Sequence, residues 1–137
     1  NIVGIKEADS DLNNFSKYKN AVPYNFCLLS GDDESCLNFC FLGGHGVISV
    51  CSHVAPNQMV TWVKRALEKD ESVRDEFRQQ LRWIKNIYID ANPIPVKAAT
   101  AYRGIIETKD MRLPLVALSE SNEKIMTNSF NEFTSLI

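Results

Sequence analysis

Three short apolar runs punctuate the first fifty positions, and none of them alternates with polar residues. They are Ile2-Val3-Gly4-Ile5, Phe26-Cys27-Leu28-Leu29 and Val47-Ile48-Ser49-Val50. Continuous runs of this length fit strands buried on both faces, as in a parallel sheet. Helix signals lie between them. Asp9, Ser10 and Asp11 are candidate caps for a helix bearing Leu12, Phe15 and Tyr18 or Lys19. Asp32 or Asp33 can cap a second helix bearing Leu37, Phe39, Cys40 and Phe41. Strand and helix therefore alternate, which predicts an α/β fold with a parallel sheet over residues 1–69.

From there the period changes. Met59, Val60, Val63, Ala66 and Leu67 repeat as one helical face, and Val73, Phe77, Leu81, Ile84 and Tyr88 make another on a longer helix. Asn92-Pro93-Ile94-Pro95 interrupts it. Pro95 suits the first turn of a further helix ending near Gly104. An irregular apolar stretch, Met111 to Leu118, contains Pro114. Ile125, Met126, Phe130, Phe133 and Ile137 predict a last amphipathic helix, so residues 70–137 read as a C-terminal helical region. Three parallel strands alone would leave unpaired backbone at both sheet edges. The strands are expected to pair with others, and the chain reads as the C-terminal half of a larger β/α protein.

Composition narrows the function classes. Of 137 residues, 45 % are hydrophobic and 23 % charged, with a formal net charge of -2. That is the make-up of a soluble globular domain. No basic face points to nucleic acid, and no apolar run approaches the ~20 residues of a membrane helix. No signal-peptide pattern opens the sequence. Cys36 and Cys40 stand four apart, yet no CxxC occurs and His45 and His53 are the only histidines. Cys27, Cys36, Cys40 and Cys51 are read as free thiols in a reducing compartment, with no metal site expected.

Ligands of parallel β/α proteins sit at the carboxyl ends of the strands. Lys6, Ser30-Gly31 and the segment from Ile48 to Cys51 occupy such positions. Lys6 is the one obvious nucleophile. Desolvation at a barrel mouth disfavours an ammonium ion, and a neutral amine can attack a ketone to give a Schiff base. Alternatively, Lys6 snorkels outward and pairs with Glu7 or an aspartate. Gly31 permits close backbone approach to a ligand or simply serves a turn. Capping accounts for Asp32 and Asp33 more simply than acid–base work or magnesium binding. Gly43-Gly44-His45-Gly46 precedes a strand, so it is read as a tight helix-to-strand turn with a structural His45. His53 lies just past a strand end, where a structural role is the commoner one. Lys97 follows the two prolines and carries little functional signal.

Together "GIKEADSD", "LSGDD", "GGHGVISV", "NPIPVK" and "MRLPLVALSE" resemble, in order and spacing, the C-terminal half of the dihydrodipicolinate synthase family. That family belongs to the pyruvate-dependent class I aldolases and lyases, with N-acetylneuraminate lyase. The resemblance covers nearly the whole chain. It implies the last three strands of a (β/α)8 TIM barrel followed by C-terminal helices. It also implies that Lys6 forms the Schiff base, that the Ile48 backbone lines the pyruvate site and that Gly31 is a pocket glycine. The implied reaction condenses pyruvate with aspartate semialdehyde to 4-hydroxy-tetrahydrodipicolinate, in diaminopimelate and lysine biosynthesis. A cytoplasmic homotetramer without metal or organic cofactor is implied, and the isolated 137-residue chain is expected to be inactive. The tyrosine and threonine proton relay and the arginine of the second substrate match nothing here. Where the family commonly reads "TAN" after "ISV", this chain has Cys51-Ser52-His53, which bears on the second-substrate pocket. "NPIPVK" favours the synthase over sialic acid lyases. Other sugar-acid aldolases and a non-catalytic remnant are the competing readings.

Overall fold

The computed structural model describes residues 1–134. Strands β1 (Gly4–Glu7), β2 (Cys27–Ser30) and β3 (Gly46–Val47) form a parallel sheet in the order β1-β2-β3. Helix α1 (Phe15–Ala21), after a 3₁₀ turn at Leu12–Asn14, connects β1 to β2, and α2 (Cys36–Phe41) connects β2 to β3. The α/β reading therefore holds for the first part of the chain. Lys6 lies level with Leu29, and Leu29 with Gly46, so these three share one face of the sheet. Leu28 points to the other face. There it packs with Phe15 and Phe39, whose rings meet edge to face at 4.6 Å.

Two strands differ from the sequence pattern. The first is displaced toward Glu7, and Ile2 and Val3 are exposed rather than buried. β1 is an edge strand, with β2 as its one partner among the described residues. The third is only two residues long, although Ile48 N–H still donates to Ser30 O at 2.8 Å. The backbone then turns into a 3₁₀ segment at Cys51–His53, because Asp33 Oδ2 accepts the N–H groups of Val50 and Cys51, each at 2.9 Å. A side chain distant in sequence thus overrides the β-branched residues of the run.

Helices α3 (Pro56–Leu67), α4 (Val73–Asn86), α5 (Ile94–Tyr102) and α6 (Glu120–Thr134) complete the structure. None of the described helices is long and apolar enough to cross a membrane. The buried face of α3 is Met59, Trp62 and Ala66, whereas Val60 and Leu67 are exposed. Trp62 sets this rotation. Its ring packs edge to face on Phe77 at 5.3 Å, and its indole N–H donates to Glu76 Oε1 at 2.7 Å. Burying so large a ring outweighs burying two aliphatic side chains. On α4, Val73, Phe77, Trp83 and Ile84 are buried, and Leu81 is half-buried. Trp83 stacks on Phe133 of α6 at 4.6 Å. Pro95 falls in the first turn of α5, and Gly104, at φ +69°, follows its end as expected. On α6, Met126, Phe130 and Phe133 are buried and Ile125 faces outward. Ile137 lies outside the described residues.

Candidate functional site

The carboxyl ends of the strands gather Lys6, Gly31 and Ile48 at one end of the sheet. Lys6 is the third residue of the edge strand β1, and its side chain is exposed. Gly31 directly follows β2 and donates its N–H to Glu7 O. A β-carbon at Gly31 would stand 2.6 Å from Lys6 Cε and 3.1 Å from Ala8 Cα. The glycine therefore makes room for the lysine stem. Ile48 follows β3, two strands from Lys6, with its side chain about half exposed and its N–H held by Ser30 O.

Pairing of Lys6 with Glu7 is not what the structure shows. Glu7 Oε1 accepts the backbone N–H of Asp9 at 2.8 Å, and the same carboxylate hydrogen-bonds the Tyr18 hydroxyl. That bond, followed by burial and the charges of Glu7, Asp9 and Asp11, raises the Tyr18 phenol above its ordinary pKa. Among the described residues no carboxylate forms an ion pair with Lys6. Asp9 and Asp11 instead close their own turns: Asp9 Oδ1 accepts from Asp11 N–H, and Asp11 Oδ1 from Asn13 N–H.

The two aspartates after Gly31 take different roles. Asp32 closes the turn that leads into α2 rather than capping the helix, whose N-cap is Ser35: its Oδ2 accepts from Ser35 N–H at 2.7 Å and from the Ser35 hydroxyl at 2.6 Å. Asp33 does not cap α2 either, which corrects the sequence reading. It is fully buried and turned toward the segment after β3. Besides the Val50 and Cys51 amides, its Oδ2 accepts the Tyr88 hydroxyl at 2.6 Å. Oδ1 has no hydrogen-bond partner among the described residues. Burial, then the Asp33 carboxylate, pushes the Tyr88 phenol well above its usual range. Sequence reasoning missed this cluster. Tyr88 was visible only as one position of an apolar helical face.

The remaining candidates make hydrogen bonds within the chain or lie buried. His45 Nδ1 accepts the Leu28 N–H at 3.0 Å, while the His45 backbone N–H donates to Leu28 O at 2.8 Å. Gly43, at φ +106°, supplies the left-handed conformation that this helix-to-strand turn needs. His53 is exposed, and its ring Nδ1 lies 3.0 Å from Val50 O, which makes Nδ1 the donor. Lys97 donates to Asp110 O. Cys36, Cys40 and Cys51 are buried free thiols, and Cys27 is half-buried. Burial raises the pKa of each of the three buried thiols, and Asp33 adds to it at Cys36 and Cys51.

A family model described as the dihydrodipicolinate synthetase family matches residues 1–132. The 4-hydroxy-tetrahydrodipicolinate synthase of Psychromonas ingrahamii is 41 % identical over 133 residues, which are 96 % of this chain and 45 % of that protein. Dihydrodipicolinate synthase from Aquifex aeolicus aligns with a TM-score of 0.93 at 34 % identity, over 98 % of this chain and 46 % of that one. The chloride-inhibited dihydrodipicolinate synthase from Acinetobacter baumannii, solved with pyruvate, aligns with a TM-score of 0.89 at 33 % identity. That match covers 96 % of this chain and 45 % of the other. The chain thus spans less than half the length of these relatives.

Proposed function

The chain belongs to the dihydrodipicolinate synthetase family, and from that premise we propose that it carries the Schiff-base-forming part of a 4-hydroxy-tetrahydrodipicolinate synthase. Strands β1 to β3 are the last three of a (β/α)8 barrel, with residues 1–69 as β/α units and 70–137 as the C-terminal helical region. The other strands come from sequence outside these residues. The whole enzyme is a cytoplasmic homotetramer of lysine biosynthesis, and these 137 residues alone are inactive.

The Lys6 amine attacks the pyruvate ketone carbon, and the carbinolamine loses water to give a protonated imine. That imine is an electron sink. A methyl proton leaves, and its electron pair forms the enamine. The enamine carbon attacks the aldehyde of aspartate semialdehyde, making the new C–C bond. The amine of the adduct then displaces Lys6 by transimination. Backbone at Ile48 and the space left by Gly31 shape the pyruvate pocket, and the covalent imine removes any need for a metal or organic cofactor. Each proton transfer requires a positioned acid or base, which the rest of the barrel supplies.

One observation carries the reading: Lys6, the third residue of the four-residue strand β1, has no ion pair among the described residues and lies against a glycine whose missing side chain admits its stem. The test is turnover of pyruvate and aspartate semialdehyde by a longer chain containing these residues. Lys6→Ala should abolish it, and undiminished turnover would sink the proposal. A panel of sugar-acid substrates in the same assay separates the synthase from related aldolases.

A further inference from the structure

Tyr88 lies in the turn just past the end of α4 and is partly exposed, yet its hydroxyl reaches the buried Asp33 beside the sheet. The carboxylate oxygen that it meets also holds the N–H groups of Val50 and Cys51. Those amides end the segment that starts at Ile48, and they decide where β3 stops and the 3₁₀ turn begins. Three donors converge on one oxygen, while the other oxygen of the same carboxyl has no partner among the described residues. A carboxylate fully removed from water and satisfied on one side only depends heavily on each of those donors. Removing the Tyr88 hydroxyl therefore loosens Asp33, and Asp33 in turn releases the backbone from Ile48 to Cys51.

We propose that Asp33 and Tyr88 are positioning residues: together they fix the backbone after β3 and thereby hold the pyruvate pocket in shape from the helical region. The functional half of this inference rests on the synthase reading above. The structural half does not. Tyr88 touches no reacting atom in this scheme and acts only through Asp33 and the two amides.

Tyr88→Phe in the longer chain is the test, since it removes one oxygen atom and keeps the ring. Amide hydrogen exchange is read at Val50 and Cys51, and KM for pyruvate is read well below the melting temperature. The proposal expects exchange at those two amides to rise about tenfold, the scale of one lost charge-assisted hydrogen bond. It also expects KM for pyruvate to rise severalfold with a smaller change in kcat. Asp33→Asn, which weakens the acceptor for all three donors at once, should raise both readouts at least as far as Tyr88→Phe does, and a smaller effect than that of Tyr88→Phe overturns the route through Asp33. Unchanged exchange at Val50 and Cys51 overturns the tether. Faster exchange with unchanged KM overturns its link to the pocket. A parent chain that traps no pyruvate on Lys6 overturns the synthase reading instead, and the exchange data then still decide the tether.

Discussion

Gly31 lies so close to Lys6 that a β-carbon on the glycine would stand 2.6 Å from Lys6 Cε. The contact joins the residue after one strand to the proposed nucleophile of the next. It also explains why a small residue follows β2. The end of a lysine stem is flexible and can swing away, whereas Ala8 Cα, 3.1 Å from the same point, is backbone and must shift.

Gly31→Ala should accordingly cost little stability, about 1 kcal/mol for a modest steric adjustment. Its main effect falls on the amine. A nucleophile displaced by about 1 Å loses up to roughly a hundredfold in rate. Single-turnover imine formation with pyruvate checks this beside a thermal melt. A normal rate with a large drop in melting temperature would reverse the assignment and make the glycine purely structural.

Trp62 holds α3 to α4 and α6. It is 1 % exposed and contacts Phe77 and Phe133 edge to face. Trp62→Ala should cost about 3–5 kcal/mol, the usual range for emptying such a site, as read by urea denaturation. Val60→Ala, on the exposed side of the same helix, should cost well under 1 kcal/mol in these residues.

Glu76 makes acid stability testable. Burial works to raise its carboxyl pKa, but the Trp62 indole N–H and the Arg65 guanidinium outweigh it and hold the carboxyl below its ordinary 4.5. A carboxylate whose pKa is lower in the folded state stabilises the fold above its unfolded pKa, and that contribution is lost as pH falls through the folded value. Glu76→Gln should therefore destabilise by about 0.5–1 kcal/mol at neutral pH, a half-exposed pair being worth no more. The difference should close as pH drops below 4.5. Denaturant midpoints of both proteins across that range give the comparison, and a constant gap would contradict the ion-pair account.

The thiols respond in the alkaline range with the opposite sign. Burial raises Cys40 to about 11 despite the opposing charge of Lys69, and Cys36 and Cys51 are raised as well. Each favours its proton in the fold, so this contribution is complete below pH 9 and falls as pH rises toward 11. A thiol reagent at neutral pH should modify the half-buried Cys27 alone in the native state. The other three should react only on unfolding.

Much of this was legible in the pattern of residues. β2, α2, α5 and the crossover layout follow from apolar runs and caps, because local periodicity and proline chemistry decide them. So does the placing of Lys6, Gly31 and Ile48 at one end of the sheet. What failed locally was settled by contacts between distant residues. β3 stops at Val47 because Asp33, earlier in the chain, captures the Val50 and Cys51 amides. The face of α3 is set by Trp62, whose partners lie on α4 and α6. Asp33 looks like a cap when read beside Asp32, and its true partner Tyr88 lies 55 positions away.

The central claim is that Lys6 is the reactive amine. Its most direct test is borohydride reduction in the presence of pyruvate, on a chain long enough to contain the whole barrel, followed by peptide mapping. The account predicts a stable pyruvate-derived adduct on Lys6 and on no other lysine. An adduct elsewhere, or none, would contradict it.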